Sequence, residues 1–454
     1  MQTDTIAAVA SGMTQAGIGV IRISGPESLA VADRMVRKKN ISSFSTHTVH
    51  HTWIYDGEER LDEALVLVMR APHSYTGEDV VEIQCHGGPL IMERILSACL
   101  HCGARLAEPG EFTKRAFLSG RLDLSQAEAV MGLIESQNDF SRKASLEQLN
   151  GAVSGRVRSL RERILHQVAY LEAAMDDPEH ISLDGFHEEF EGILASLIQE
   201  IREMIVDADR GRILAQGIRT VILGRPNAGK SSLWNLLVGE ERAIVTQIPG
   251  TTRDVLEENI RLGGISLRLV DTAGIRDTEN VIEKIGVERA RGQAERADLI
   301  LYVIDSSLSW DPEEEEMREF LQGKQVLVLL NKSDLPAVLT EEEVREKFSQ
   351  PVIRFSAADG TGREELEQEI LRMFRVGEMR ENSEAVITNL RHREALDHAL
   401  SSLQLVQDSM EQGLPEDFYT IDLMDAYREL GLIIGESVEE DLVNKIFSEF
   451  CMGK

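Results

Sequence analysis

The sequence predicts a multidomain chain, with an α+β domain at the N-terminus and an all-α helical domain into which an α/β domain is inserted. Three observations carry that prediction. Short β-like runs broken by Gly and Pro fill residues 1–120, and apolar residues at helical spacing follow them. From Gly217 the rhythm changes to buried strands alternating with helices, and helical spacing returns after Arg375. The segments read from these shifts are 1–120, 121–216, 217–375 and 376–454, the second and fourth packing together as one helical domain.

In the first segment Gly19–Ile23, Ala64–Met69 and Val80–Gln84 read as strands and Leu90–Cys102 as a helix. Leu146, Leu149, Val153, Val157, Leu160, Ile164, Val168 and Leu171 then recur at intervals of 3 or 4, one stripe of a single long helix. Asp176-Asp177-Pro178 ends it, because Pro disfavours a helical residue before it. A second stripe runs through Phe190, Leu194, Leu197, Ile201 and Met204. The unbroken apolar runs Leu299–Ile304 and Val326–Leu330 are those of parallel strands covered on both faces. Leu396, Leu400, Leu403 and Val406, then Met424, Tyr427 and Leu430, restore the helical period.

Composition narrows the function classes. With 42% apolar and 28% charged residues among 454, neither a structureless tail nor a collagen-like fibre fits. The formal charge is −30, from 48 basic and 78 acidic side chains, so no general basic field coats nucleic acid or anionic membrane. Residues 1–120 hold 11 basic and 14 acidic groups, which leaves −27 to the remainder and confines any nucleic-acid contact to a local patch. Four cysteines are too few for a disulfide scaffold. The N-terminus lacks the basic start of a signal peptide, and no stretch reaches 18 apolar residues. The final Cys451-Met452-Gly453-Lys454 has Gly where a prenylation box has an aliphatic residue. The expectation is a soluble cytoplasmic protein with no membrane span.

The chemistry lies in four ordered motifs. Gly224-Arg225-Pro226-Asn227-Ala228-Gly229-Lys230-Ser231, between the run Thr220–Leu223 and a helix over Ser232–Val238, fits the phosphate-binding loop GxxxxGK[ST]. Its glycines let backbone N–H groups face phosphate oxygens, Lys230 reaches the β and γ phosphates, and the Ser231 hydroxyl ligates Mg²⁺. Asp271-Thr272-Ala273-Gly274 supplies an outer-sphere Mg²⁺ carboxylate and a γ-phosphate N–H. In Asn331-Lys332-Ser333-Asp334 the Asp334 carboxylate accepts from guanine N1–H and the 2-amino group, donors that adenine lacks. Ser356-Ala357-Ala358 offers a backbone N–H to guanine O6. The set resembles the signature of Ras-like GTPases. The residue after DxxG is Ile275, which cannot orient water, so another group must act; Glu279, Glu283 and Glu288 all lie in the segment that follows. Asn227, beside the oxygen-rich Thr246-Gln247-Ile248-Pro249-Gly250-Thr251-Thr252, allows a monovalent cation to supply the charge of an arginine finger.

Residues Glu108–Leu118, Arg121–Ala129, Gly224–Ser232, Gly250–Asp254 and Phe450–Lys454 together resemble the tRNA-modification GTPase family MnmE (TrmE), and the resemblance covers essentially the whole chain. It implies an N-terminal tetrahydrofolate-binding-like domain that makes a homodimer and a helical domain carrying the inserted G domain. It also implies GTP hydrolysis stimulated by K⁺. With an FAD-containing partner, MnmG, in a heterotetramer or larger complex, such proteins modify C5 of the tRNA wobble uridine to aminomethyl or carboxymethylaminomethyl forms. The carbon comes from 5-formyl- or methylene-tetrahydrofolate. By the same resemblance Ser231 and Thr252 are Mg²⁺ ligands; Asn227, Thr246, Ile248 and Thr251 are K⁺ ligands; and Glu283 orients the attacking water. Arg22, Glu82, Arg121 and Lys454 match folate-binding positions, Arg121 standing where Lys is common, and Cys451 matches a cysteine tied to the modification reaction.

Three features are set aside. Cys99-Leu100-His101-Cys102, with Cys85-His86, lacks a second zinc-ligand pair at matching spacing. His86-Gly87-Gly88 has no G-x-S-x-G elbow to serve. The acidic run 312–316 reads as a solvated helix start. The rival function is a switch GTPase acting in ribosome assembly.

Overall fold

The computed structural model describes residues 4–37, 40–136, 138–177, 179–180, 186–240, 257–270, 292–374, 386–436, 438, 440–448, 450 and 453. They fall into two compact units, Met1–Met131 with Leu430–Lys454, and Gly132–Glu429.

The first unit is built on a six-stranded sheet of β1 (Ile6–Val9), β2 (Ala16–Ser24), β3 (Thr48–Asp56), β4 (Glu59–Met69), β5 (Val80–Gly87) and β6 (Arg105–Leu106). The order is β3-β4-β5-β2-β1-β6, antiparallel throughout except for the β1–β6 pair. Period-two alternation decides its faces. Ile21, Ile23, Val81 and Ile83 turn to one side, where Met92, Ile95, Ala98 and Cys99 of helix Pro89–His101 join them in one core. Arg22 and Glu82, register partners on β2 and β5, lie at the intervening positions and so face the other way. Cys99 is wholly buried, and burial raises its thiol pKa; the Cys85 thiol is likewise pushed up to about 11. These are protonated packing groups, and no set of three or more metal-ligating side chains exists among the described residues.

Helix Glu111–Leu118 begins after Gly110, whose φ is +66° and whose missing Cβ makes room for the Phe447 carbonyl. Leu124, Ala127 and Met131 pack there with Val443, Phe447 and Phe450. Behind this helix the buried Arg115 donates to Asp4, Glu78 and Glu111, and Arg105 reaches Glu111 at 2.7 Å. Burial raises the Glu111 pKa, but the bonds from Arg105, the Glu108 N–H and Arg115 outweigh it, leaving the carboxyl below its ordinary 4.5. A depressed acid stabilises the fold above its unfolded pKa and ceases to do so as pH falls through the folded value. This unit should therefore lose stability below about pH 4.5, and Glu111→Gln should flatten that acid limb. A near-ultraviolet circular dichroism titration whose midpoint ignored the substitution would remove Glu111 from the network's energetics.

In the second unit the expected single helix from Leu146 to Leu171 is two helices, Asp139–Leu149 and Ala152–Asp176. Asn150 and Gly151 separate them, Gly151 at φ +93°, which ends helical geometry without a steric penalty. The break also rotates the buried face. The first helix buries Phe140, Ala144, Ser145 and Gln148, leaving Leu146 38% exposed, whereas Val153 through Leu171 stay on the predicted stripe. Phe190, Leu194, Leu197, Ile201 and Met204 are buried on helix Phe186–Gln216, which packs against helix Leu390–Glu411. On that partner Ala399 is buried while Leu400 is half-buried, and on Asp417–Ile434 Leu423 and Ala426 are buried in place of Met424 and Tyr427. Ile164→Ala should cost about 2–5 kcal/mol and Leu146→Ala under about 1 kcal/mol. Urea midpoints showing equal losses would mean that one continuous stripe exists after all.

The same unit holds a second sheet of β7 (Ile218–Gly224), β8 (Glu257–Leu262), β9 (Ile265–Val270), β10 (Leu299–Asp305), β11 (Val326–Asn331) and β12 (Val352–Arg354). Its order is β12-β11-β10-β7-β9-β8, and every pair is parallel except the β8–β9 hairpin closed by Gly263-Gly264. Both glycines have positive φ, as a two-residue hairpin of this twist requires. Helices Lys230–Glu240, Pro312–Phe320 and Glu341–Lys347 lie in its connections, and Arg363–Met373 follows β12. Parallel strands place their carboxyl-end loops on one edge, where a ligand crevice forms in such sheets.

Candidate functional site

Three of those loops meet. After β7 the chain turns through Arg225–Gly229 into helix Lys230–Glu240. Gly224 and Gly229 have φ of +147° and +104°, and a Cβ on Gly229 would collide with the Asn331 amide. Asn331, at the end of β11 and 2% exposed, donates from Nδ2 to the Ala228 carbonyl at 2.7 Å. Its Oδ1 accepts from the Ala357 N–H at 2.9 Å. One side chain thus fastens the loop after β7 to the loop after β12. Lys230 folds back over its own loop, Nζ lying 2.7 Å from the Gly224 carbonyl and 2.6 Å from that of Arg225. Burial lowers its pKa. Asn227 holds φ +62° and is exposed, and its side-chain amide makes no hydrogen bond among the described residues. Ser231 and Ser232 are exposed on the first turn of the helix.

Opposite the phosphate-type loop, Asp334 is exposed and accepts from the Ser356 hydroxyl at 2.9 Å. Lys332, at φ +62°, pairs with Asp305 at 2.6 Å. Burial pushes the Asp305 pKa up, but its bonds with Lys332 and Ser307 bring it below the usual range. The Ser356 N–H donates to the Thr361 carbonyl and that of Ala357 to Asn331, so within Ser356-Ala357-Ala358 the N–H without an acceptor among the described residues is that of Ala358.

The acidic run does start a helix, Pro312–Phe320, with Glu313 and Glu316 exposed as its composition suggests, and Glu314 is its exception. Arg225 of the loop pairs with Asp311 and Glu313, each at 3.2 Å. Glu314 is buried and bonded to the Tyr302 hydroxyl of β10. Burial raises both pKa values. This brace to the loop escaped sequence reasoning because Tyr302 sits in an apolar strand and gives no local signal.

In the first unit Arg22 Nε lies 2.8 Å from Glu82 Oε1, each side chain 14% exposed. The Arg22 guanidinium stands 5.0 Å from the centroid of Tyr75 and 5.5 Å from that of Phe112. Arg121 approaches the same Tyr75 ring at 5.2 Å and donates to the Tyr75 carbonyl at 2.9 Å. Tyr75 therefore joins the candidate residues Arg22 and Arg121, a role no motif announces. Arg22 also reaches the Gly453 carbonyl at 3.5 Å. Glu283, Cys451, Lys454, Thr246, Gln247, Ile248, Pro249, Gly250, Thr251, Thr252, Asp271, Thr272, Ala273 and Gly274 lie outside the described residues.

Residues 5–121 match the family model described as GTP-binding protein TrmE N-terminus, and residues 124–451 match that described as MnmE helical domain. A tRNA modification GTPase MnmE of Lachnoclostridium phytofermentans is 53% identical over 100% of both chains. Another, of Acetivibrio thermocellus, is 44% identical over 99% of both. The chain belongs to the MnmE family of tRNA modification GTPases. Among solved structures, an Era variant of Aquifex aeolicus bound to GDP and AlF4⁻ is 32% identical over 34% of this chain and 56% of that one, with a TM-score of 0.28.

Within this MnmE-family chain the tie through Asn331 makes a direct prediction. Asn331→Ala removes both hydrogen bonds, and Gly229→Ala drives a methyl into the same amide. Each should weaken GDP binding about 10- to 100-fold, roughly the worth of two buried hydrogen bonds. Titration with a fluorescent GDP analogue giving wild-type affinity for either variant would dissolve the tie's importance.

Proposed function

We propose that this chain, a GTP hydrolase acting in tRNA modification, is a K⁺-stimulated enzyme that uses a tetrahydrofolate-derived carbon on the wobble uridine with an FAD-containing partner, MnmG. The observation that carries the nucleotide part of the reading is the Asn331 tie, which joins a phosphate-type loop to the loop of Ala358, beside Asp334, at one sheet edge. Backbone N–H groups of 227–232 receive the β and γ phosphates, with Lys230 exchanging loop carbonyls for phosphate oxygens. Asp334 accepts from the guanine N1–H and 2-amino group, and the Ala358 N–H meets O6.

Exposed Ser231 at the helix start suits a Mg²⁺ ligand, with Thr252 as the second and Asp271 acting through water. Bound there, the ion would neutralise charge between the β and γ oxygens. The Asn227 amide, without a hydrogen bond among the described residues, suits a K⁺ ligand, with Thr246, Ile248 and Thr251 as the others. Ile275 carries no hydrogen-bonding group, so Glu283 takes the orienting of the attacking water. Arg22, Glu82, Arg121 and Lys454 hold the folate, Tyr75 fixes the two arginines, and Cys451 serves the modification step. The domains run over 1–120, 121–216, 217–375 and 376–454, the first forming a homodimer. The complex with MnmG acts on tRNA in the cytoplasm; no helix among the described residues is long and apolar enough to cross a membrane.

Purified protein should hydrolyse GTP and leave ATP untouched, and it should turn over at least about tenfold faster in K⁺ than in Na⁺. Glu283→Ala should lower kcat by about 100-fold or more while GDP affinity holds, the mark of an interaction made in the transition state. Equal rates in the two salts would defeat the K⁺ assignment, and an unchanged kcat would defeat that of Glu283. Wobble nucleosides of ordinary mass in a deletion strain would defeat the tRNA reading.

A further inference from the structure

An open groove of about 530 Å³ lies in the first unit, lined by His47, Met69, Pro72, His73, Ser74, Tyr75 and Arg121. In a chain of charge −30 this lining holds no carboxylate. Glu78 and Asp79, next along the same segment, are engaged elsewhere. Glu78 accepts from Arg115 and Ser24, and Asp79 from the Ala71 N–H. Arg121 spends one N–H on the Tyr75 carbonyl at 2.9 Å, and its remaining donors make no bond among the described residues. His73 is exposed with no hydrogen-bond partner among them, and His47, also exposed, contacts the Thr46 hydroxyl through Nδ1, which leaves Nε2. The groove therefore offers a guanidinium, two imidazoles and an apolar floor. It abuts the Arg22–Glu82 pair through the Tyr75 ring that Arg121 and Arg22 both approach.

We propose that this groove is an anion subsite for the glutamate tail of the one-carbon carrier, and that it favours carriers bearing several γ-linked glutamates over those bearing one. The inference rests on the folate reading above and deepens it. The carrier's ring system occupies the side of Tyr75 that faces Arg22 and Glu82, and its tail runs past Tyr75 along Met69 and Pro72. Successive carboxylates then meet Arg121, His73 and His47. A compact phosphate would leave the apolar floor uncovered. A flexible chain whose carboxylates are separated by short methylene stretches matches both the guanidinium and imidazole N–H donors and the floor. Because Arg121, His73 and His47 are exposed, each added carboxylate contributes modestly, and the part owed to the Arg121 charge is screened by salt.

Calorimetric titration of the full chain with 5-formyl-tetrahydrofolate carrying one or three glutamates tests this. The triglutamate should bind about 5- to 10-fold tighter at low salt, with the advantage shrinking towards unity at 0.5 M KCl. In a His47→Gln, His73→Gln variant the ratio of the two affinities should fall below about twofold; Arg121→Ala should lower it too, and Arg121→Lys should restore part of it. Circular dichroism melts matching wild type show that the variants fold. Equal affinity of the two carriers overturns the tail subsite and leaves the folate reading standing. Failure of both to bind overturns the folate reading and the subsite with it. Loss of tRNA binding in the variants, without any preference for the triglutamate, overturns the proposal in favour of a phosphodiester groove.

Discussion

The amide of Asn331 is the constraint on which the nucleotide crevice depends. It must donate and accept at once, to the Ala228 carbonyl and from the Ala357 N–H, at a position with 2% exposure. Asp could accept but not donate, and an apolar residue would strand a buried carbonyl and a partly buried N–H. Leaving such groups unpaired costs about 1–3 kcal/mol each. The tie works because the strand order β12-β11-β10-β7 carries both loops to the same edge. It also explains Gly229 beyond the usual reason. The glycine permits φ +104°, and it leaves the volume that the Asn331 amide occupies.

What the sequence disclosed, and what it withheld, follows from the range of the interactions. Strands in the second sheet were legible because continuous apolar runs have few alternatives, and the Gly224–Ser231 loop because its residue types are fixed by local backbone geometry. Arg22 and Glu82 alternate with buried Ile and Val, so their shared face could be read from period two alone. The break at Asn150-Gly151 could also have been read: Gly after a run of helical spacing is a stop signal. The apolar stripe crosses that break with unbroken intervals, so spacing overrode the signal. Glu314 was not legible. Its burial depends on Tyr302, which lies on another element, and an acidic run at a helix start is ordinarily solvated. Tyr75 likewise acquires its role only when β2, the segment after β4 and the residues past helix Glu111–Leu118 come together.

The two candidate sites handle charge by different means. At the nucleotide crevice the positive character comes from backbone N–H groups at a helix start and from one partly buried lysine, whose pKa burial lowers. On the proposed reading, a triphosphate there would replace the carbonyl partners of Lys230 with charged oxygens. In the first unit the Arg22 charge is already matched by Glu82 at 2.8 Å, so that pair is close to neutral and orients more than it attracts. Attraction for an anion therefore falls to cations without a carboxylate partner. Among the described residues Arg121 meets that condition, because its contacts there are the ring and carbonyl of Tyr75, which position the guanidinium without neutralising it. A Lys in its place would keep the charge but lose the planar face that lies near the ring.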